Sequence, residues 1–313
     1  MPRTIDPGSG DAITLDDLFA ILDDSRIDVR DEDAFASLGP ALARLGRNPR
    51  FLADLAIAEL AQRCDGQARG NDYGAQVFLL RPADGRFVVR ANFWPSEHDP
   101  AFVASGAAAF FYGLPHDHNF PFLTYGYLGP GYWSDYYEVD PARVQGCVGE
   151  DAGLRFIERS RLGPGKLMLY RMRRDVHSQA PPDAFSVSLN ILGHDPAQPW
   201  TDQYRYDLQA GTVDAILTTT PGEALLALGT RFGDGNGIDL AARFALRHPC
   251  ERMRLTAIDA LFRADPDAAI PILERATADP ARRIALAAAV RLDGLAQSPP
   301  NRTDRSASLH LAR

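Results

Sequence analysis

The spacing of hydrophobic and polar positions changes twice along this chain, and the two changes divide it into regions. From about residue 12 to residue 64 the apolar residues recur at helical spacing, as they do between Phe35 and Leu45. Thr14 is a suitable N-cap for the first helix, and two aspartates follow it in the first turn. We therefore predict an N-terminal helical segment over residues 1–70.

Over residues 71–210 the period shortens to that of strands. Short runs rich in β-branched and aromatic residues are separated by turn formers, such as the Gly-Pro-Gly sequences at 129–131 and 163–165. This spacing predicts an antiparallel β-barrel or sandwich, and we expect a barrel. The predicted fold class is thus α+β, with an antiparallel barrel flanked by helices.

Two of the predicted strands have one polar and one apolar face. Side chains alternate across a strand, so Arg90 shares a face with Asn92, and Ser188 shares a face with Asn190. The intervening residues, such as Val89, are apolar. Strands of this kind suit a barrel with a polar interior pocket.

Helical spacing returns over residues 211–296, where the sequence contains an internal repeat. The run that starts His248-Pro-Cys-Glu-Arg-Met aligns with Asp279-Pro-Ala-Arg-Arg-Ile, at an offset of about 31 residues. This repeat resembles HEAT-type paired helices, a resemblance that implies a surface for a protein partner. The remaining residues, 297–313, are rich in Ser, Pro and Arg and predict a disordered tail.

The strongest chemical signal in the chain is a pair of histidines two residues apart. His116 and His118 flank Asp117, and on extended backbone both rings would point to the same side. His177 follows about 60 residues later, before a predicted strand. Three neutral imidazoles could hold one divalent transition metal and leave coordination positions open. We predict these three histidines as metal ligands.

These motifs resemble the two halves of a cupin metal site. His116-x-His118 is similar to the first half, and Pro164-Gly, His177 and Ser186-x-x-x-Asn190 are similar to the second. The stretch after His118 lacks the glutamate that the usual cupin carries there, so the chain more closely resembles three-histidine cupins of the cysteine dioxygenase type. The resemblance implies a jelly-roll fold, Fe(II) as cofactor, and an iron-dependent oxidoreductase.

Three more residues are candidates for the catalytic machinery. The resemblance places Arg90 where the family binds the carboxylate of the substrate, and a guanidinium suits a bidentate clamp. Asn190 is expected in the pocket, although the family has a catalytic histidine there. Tyr125 could supply a hydroxyl near the metal, and Tyr127 or Tyr170 could do so instead.

Other features of the family's site are missing. Leu192 replaces its catalytic tyrosine, and Leu123 replaces its thioether-forming cysteine. Glu138 could be a fourth ligand, but a solvent-facing position on its strand is the better expectation.

These observations predict a non-heme Fe(II) oxygenase or dioxygenase that acts on a small carboxylate-bearing substrate, such as a thiol or an amino-acid derivative. The three imidazoles do not by themselves select iron, because imidazole also binds other divalent transition metals. One alternative is a 2-oxoglutarate-dependent hydroxylase, but Asp117 would point away from the histidines. Another is a non-catalytic metal-binding cupin that serves as a regulatory or protein-binding module.

Charge and composition restrict the partners. The net charge of −8 argues against nucleic acid and acidic membrane surfaces. No apolar run approaches the roughly 20 residues that span a bilayer, and the first ten residues lack an apolar stretch. The three cysteines are scattered. We expect a cytoplasmic protein whose partners are a small-molecule substrate, dioxygen and, through the repeats, another protein.

Overall fold

The computed structural model describes residues 2–82 and 85–297, and the chain divides into two compact units, Met1–Thr218 and Thr219–Arg313. In the first unit the helices are α1 (Leu15–Asp24), α2 (Glu32–Ala36), α3 (Gly39–Gly46), α4 (Phe51–Ala61), α5 (Asp65–Gly70) and α6 (Pro100–Ser105). Thr14 caps α1 as predicted, because its hydroxyl accepts from the Asp17 N–H while the Asp17 carboxylate accepts from the Thr14 N–H.

All the described strands lie in this first unit, and their ladders are antiparallel. They are β1 (Arg3–Ile5), β2 (Val77–Arg81), β3 (Phe87–Trp94), β4 (Phe122–Leu128), β5 (Trp133–Glu138), β6 (Arg155–Arg161), β7 (Leu167–Tyr170), β8 (Asp175–Ala180), β9 (Ser186–Gly193), β10 (Tyr204–Asp207) and β11 (Thr212–Ile216). One sheet has the order β1-β7-β4-β9-β3-β2, a second has the order β6-β5-β8, and β10 pairs with β11.

The six-stranded sheet buries both of its faces. Apolar residues on one face, including Val89, Leu123 and Leu189, pack against the N-terminal helices. On the other face, Phe122 and Tyr170 share a cluster with Tyr136 of the second sheet, so the two sheets pack face to face. Burying each large side chain contributes roughly 1.5–3 kcal/mol. The predicted helical segment and the predicted β region therefore share one folded unit.

The described strands do not close into one barrel, which corrects the expected closure. The second sheet reaches β10 only through single bridges at His116, which pairs with His177 on one side and with Arg205 on the other. The segment around His116 is extended but too irregular to form a ladder. The mixture of helices and antiparallel strands agrees with the predicted class.

A glycine turn before β5 offers a stability test with a matched control. Gly131 has φ +84°, and a Cβ there would collide with the backbone carbonyl of Leu162, whereas Gly165 has φ +81° and open space. We expect Gly165→Ala to lower the free energy of unfolding by about 1–2 kcal/mol, the penalty of the left-handed conformation alone. Gly131→Ala adds a backbone clash and should lower it by more than about 3 kcal/mol. Urea denaturation measures both, and equal losses would contradict the packing at Gly131.

The second unit is helical over its described residues. Its helices are α7 (Pro221–Phe232), α8 (Asp234–Arg247), α9 (Glu251–Ala264), α10 (Pro266–Ala276) and α11 (Arg282–Gln297). A core of small and aliphatic residues, among them Ala257 and Ala288, holds them together. The predicted disordered tail lies outside the described residues from 298 onward. Among the described helices none combines the length and the apolar character needed to cross a membrane.

Candidate metal centre

The structure brings the three predicted histidines together beside β8 of the second sheet, the strand that contains His177. His116 and His177 form a two-way backbone bridge, in which each N–H donates to the other's carbonyl at 3.0 Å. His118 follows His116 by two residues, and its ring lies 5.1 Å from that of His177, centroid to centroid. One nitrogen from each of the three rings falls within a group whose members lie within 4.8 Å of one another. This group could bind a divalent metal.

The hydrogen bonds of the rings fit a metal bound between them. The Nδ1 of His116 lies 2.8 Å from the Leu114 carbonyl, to which it donates as N–H, so its Nε2 carries the lone pair. The Nε2 atoms of His118 and His177 are 3.0 Å apart. Metal–nitrogen bonds of about 2.1 Å at right angles place two nitrogens about 3.0 Å apart. The spacing therefore suits two imidazoles that share one ion.

Burial keeps these imidazoles neutral, the state in which they can ligate. It lowers the pKa of His118 well below its ordinary value, and the neighbouring His116, His177 and Arg90 lower it further. Burial, with a smaller effect of His116, likewise lowers the pKa of His177. The pKa of His116 is also lowered by burial, although its bond to the Leu114 carbonyl opposes the shift.

Asp117 points away from the three rings and ties the histidine segment to β10. Its carboxylate accepts from the Tyr204 N–H at 2.6 Å and from the Tyr206 hydroxyl at 3.0 Å. Its own N–H donates to the Tyr204 carbonyl at 3.2 Å. The side chain is fully buried, and burial raises its pKa to about 6 despite these bonds. Asp117 thus fixes the backbone from which both His116 and His118 project.

Removing this anchor should weaken metal binding without touching a ligand. We expect Asp117→Ala to lower metal affinity about 10–100-fold, as loss of an outer hydrogen-bond partner typically does. Tyr206→Phe removes one of the two donors to the carboxylate and should have a smaller effect. Calorimetric titration of the metal-free protein with Zn(II) measures both. Wild-type affinity in a folded Asp117→Ala variant would contradict the anchoring role.

The rings of the metal group line a cavity of about 410 Å³. Its walls are largely aromatic, and His118 packs edge-on against Phe122 at 4.8 Å and at a tilt against Phe120 at 5.1 Å between centroids. The side-chain Nδ1 atoms of His118 and His177 have no hydrogen-bond partner in the described structure, so ring packing orients them. The other lining residues include Tyr73, Trp94, Phe111 and Tyr132, with the polar residues Gln76, Asn92, Gln179 and Gln203.

Arg90 reaches the same cavity and carries an unpaired charge. Its guanidinium lies over the ring of Tyr73 at 4.9 Å, and its buried Nε has no hydrogen-bond partner. Within residues 2–82 and 85–297 no carboxylate forms an ion pair with it. Burial lowers the pKa of Arg90, but a guanidinium stays charged at neutral pH. A buried cation without a counter-ion marks a place for an anionic ligand.

The remaining predicted residues are placed differently. Asn190 lines the cavity, with its Oδ1 accepting from the Thr124 hydroxyl at 3.1 Å. Tyr125 does not belong to this site, because strand alternation turns it toward the helical core while Thr124 faces the polar side. Glu138 binds Arg155 and Arg174 at the end of β5, so its carboxylate is engaged away from the histidine group.

Tyr127 and Tyr170, the alternatives to Tyr125, differ in their distance from the metal group. Tyr127 donates its hydroxyl to the Asn48 carbonyl on the helical side. The ring of Tyr170 lies 4.8 Å from that of His177, centroid to centroid. Its hydroxyl donates to the Tyr136 hydroxyl within the packing between the sheets.

Sequence reasoning missed Gln179, which lies two residues after His177 on β8 and therefore on the same face. The two-residue spacing of His177 and Gln179 is visible in the sequence. However, β8 reads Asp-Val-His-Ser-Gln-Ala and lacks the apolar alternation that predicts a strand. Tyr73 was missed because it lies in a loop that only the tertiary structure brings to the cavity.

No protein-family model matches the chain, and no curated protein matches it either. Among solved structures, the chain is similar to the DMSP lyase DddQ from Ruegeria pomeroyi DSS-3, with 12% sequence identity, 63% of this chain and 78% of that chain covered, and a TM-score of 0.24. A TM-score this low assigns neither architecture nor activity.

Proposed function

We propose that this protein is a cupin-type metalloenzyme, a non-heme Fe(II)-dependent oxygenase that acts on a small carboxylate-bearing substrate. The observation that supports the proposal is the convergence of three neutral imidazoles and one unpaired guanidinium on a single cavity. An iron held by His116, His118 and His177 would supply coordination positions for the substrate and for dioxygen.

The chain's own residues would bind and orient the substrate. Arg90 would hold the carboxylate, and its contact with Tyr73 keeps the guanidinium in place. Asn190 would donate an amide N–H toward the substrate while its oxygen is held by Thr124. The aromatic walls would exclude water, which strengthens each electrostatic contact inside. Substrates of the thiol or amino-acid type are the first to test.

The geometry favours this proposal over a 2-oxoglutarate-dependent hydroxylase. That chemistry uses two histidines and one carboxylate as ligands. Asp117, the nearest carboxylate in the sequence, is engaged with Tyr204 and Tyr206 on the opposite side. The three-histidine group contains no carboxylate.

Oxygen uptake tests the proposal directly. Protein purified without oxygen and loaded with Fe(II) should consume dioxygen in the presence of at least one short thiol, amino acid or hydroxy acid. Addition of 2-oxoglutarate should leave the rate unchanged, and a chelator should abolish it. Full activity in metal-free protein would overturn the proposal. No uptake by iron-loaded protein across the panel would favour a non-catalytic metal-binding module instead.

We further propose that the second unit contains HEAT-like repeats that bind a protein partner. The helices α9 and α11 begin 31 residues apart, at Glu251 and Arg282, as the sequence repeat requires. Arg252 and Arg283, equivalent in the repeat, are both buried at 6% exposure, and they pair with Glu223 and Glu251 respectively. Affinity capture with the full chain, compared with Leu228→Glu on the exposed face of α7, would test partner binding.

A further inference from the structure

Two buried side-chain amide oxygens in the cavity lining, those of Asn92 and Gln179, have no hydrogen-bond partner in the described structure. Asn92 and Gln179 are each 6% exposed, and the Oδ1 of the first and the Oε1 of the second are buried and unbonded. Two other lining amides are engaged, since Asn190 accepts from Thr124 and Gln76 donates to the Phe110 carbonyl at 3.3 Å. Buried amide oxygens are nearly always paired in folded proteins, so these two acceptors are available to a polar group that enters the cavity.

The free amides lie next to the groups already assigned to the metal and to the anion. Asn92 follows Arg90 by two residues on β3, and Gln179 follows His177 by two residues on β8, so each shares a strand face with its neighbour. The two strands belong to the two sheets that pack face to face. A small ligand held at Arg90 would therefore have an amide from each sheet within its surroundings.

The charges around the cavity determine which kind of group these amides suit. Arg90 is positive, and a bound metal would add more positive charge. Within the described lining Asp72 is the one carboxylate, and its side chain is exposed. A ligand ammonium would thus find no buried anion to offset it. An uncharged group that both donates and accepts hydrogen bonds meets no such penalty.

We propose that the cavity takes a small acid carrying a second, uncharged polar group, of which a hydroxyl is the smallest, and that Asn92 and Gln179 bind that group. The proposal rests on the proposed function only for the position of the acid at Arg90. The assignment of Asn92 and Gln179 favours hydroxy acids over amino acids as the substrate class. In this view Asn92 and Gln179 determine specificity.

Binding can be measured without turnover. The full chain loaded with Zn(II), which has no redox chemistry, is titrated by calorimetry with propionate, 3-hydroxypropionate and β-alanine, three acids of equal chain length. We expect 3-hydroxypropionate to bind about tenfold more tightly than propionate, because a site built for a hydroxyl is left unpaired by the acid that lacks one. β-Alanine should bind more weakly than propionate.

Variants separate recognition from folding. Asn92→Leu and Gln179→Met should remove the advantage of 3-hydroxypropionate and leave propionate affinity within about twofold, since only the hydrogen bond to the hydroxyl is lost. Asn236→Leu, at an exposed position of α8, is the matched control and should keep the advantage. Gln179→Glu should reverse the preference toward β-alanine, a reversal that a structural role does not produce. If Asn92→Leu and Gln179→Met fail to load zinc, the ligand preference of Gln179→Glu still tests whether Gln179 contacts the ligand.

The outcomes distinguish this proposal from the proposed function. Equal affinities for propionate and 3-hydroxypropionate, or tightest binding of β-alanine, would overturn the assignment of the amides while the anion site at Arg90 stands. Equal losses of affinity for propionate and 3-hydroxypropionate in folded, zinc-loaded Asn92→Leu and Gln179→Met variants would also overturn the assignment of the amides. If none of the three acids binds to protein fully loaded with Zn(II), the proposed anion site at Arg90 is contradicted as well.

Discussion

The His177→Ala variant is expected to lose its bound metal and, with it, oxygen-dependent turnover. His177 is buried on β8, its Nε2 lies 3.0 Å from that of His118, and its backbone pairs with His116. Losing one of three ligands should lower metal affinity by more than about a hundredfold, since even outer-shell changes lower it about 10–100-fold. Elemental analysis after purification and calorimetric titration with Zn(II) measure the loss.

Two further variants keep this test informative. His98→Ala changes an exposed histidine and should leave metal content unchanged. His177→Gln retains a polar side chain of similar reach, so a folded His177→Gln variant that lacks metal attributes the loss to the imidazole. Wild-type metal content and turnover in His177→Ala would show that the three-histidine group is structural.

The Arg90→Leu variant is expected to lose substrate binding while the ligand-free protein stays as stable or becomes more stable. The guanidinium has no carboxylate partner in the described structure, so its removal breaks no ion pair and relieves an uncompensated buried charge. An arginine–carboxylate contact with the substrate would be worth at least ~2 kcal/mol, which corresponds to at least about a thirtyfold loss in kcat/KM.

The stability measurement separates a ligand site from a packing role. The matched control is Arg159→Leu on β6, where the arginine is half-exposed and paired with Asp135. This variant should change neither the unfolding midpoint nor substrate affinity appreciably. Arg90→Lys should recover little activity, because an ammonium cannot form the bidentate contact. A lower unfolding midpoint for Arg90→Leu with unchanged substrate affinity would show that Arg90 only supports the sheet.

Much of the local structure was predictable from the sequence, because period and capping are local properties. The alternation along Phe87–Trp94 and Ser186–Gly193 predicts both strands and assigns Val89 and Leu189 to the apolar face, and the structure confirms this. The cap at Thr14 is confirmed in the same way. Strands without apolar alternation were not predicted, as β6 shows with its sequence Arg-Phe-Ile-Glu-Arg-Ser-Arg.

The site was predictable only in part, for a related reason. Residue type and spacing identified His116, His118 and His177, because few residues can hold a transition metal. Tyr125 was chosen from several tyrosines near the motif that are equivalent in sequence, and only the register of β4 places its side chain on the face that packs against the helices. Nothing in the sequence indicated that Asp117 anchors the histidine segment to Tyr204 and Tyr206, which lie almost 90 residues away.

By itself, then, the sequence determined the periodic elements, the α+β composition and the three histidines that could hold a metal, because each follows from side-chain chemistry or from spacing over a few residues. The tertiary structure alone decided which polar side chains share the cavity. It also decided that, among the described residues, Arg90 has no carboxylate partner and the amide oxygens of Asn92 and Gln179 have no hydrogen-bond donor. These properties depend on the packing of two sheets and a loop, and a buried group is known to be unpaired only when all its neighbours are in place.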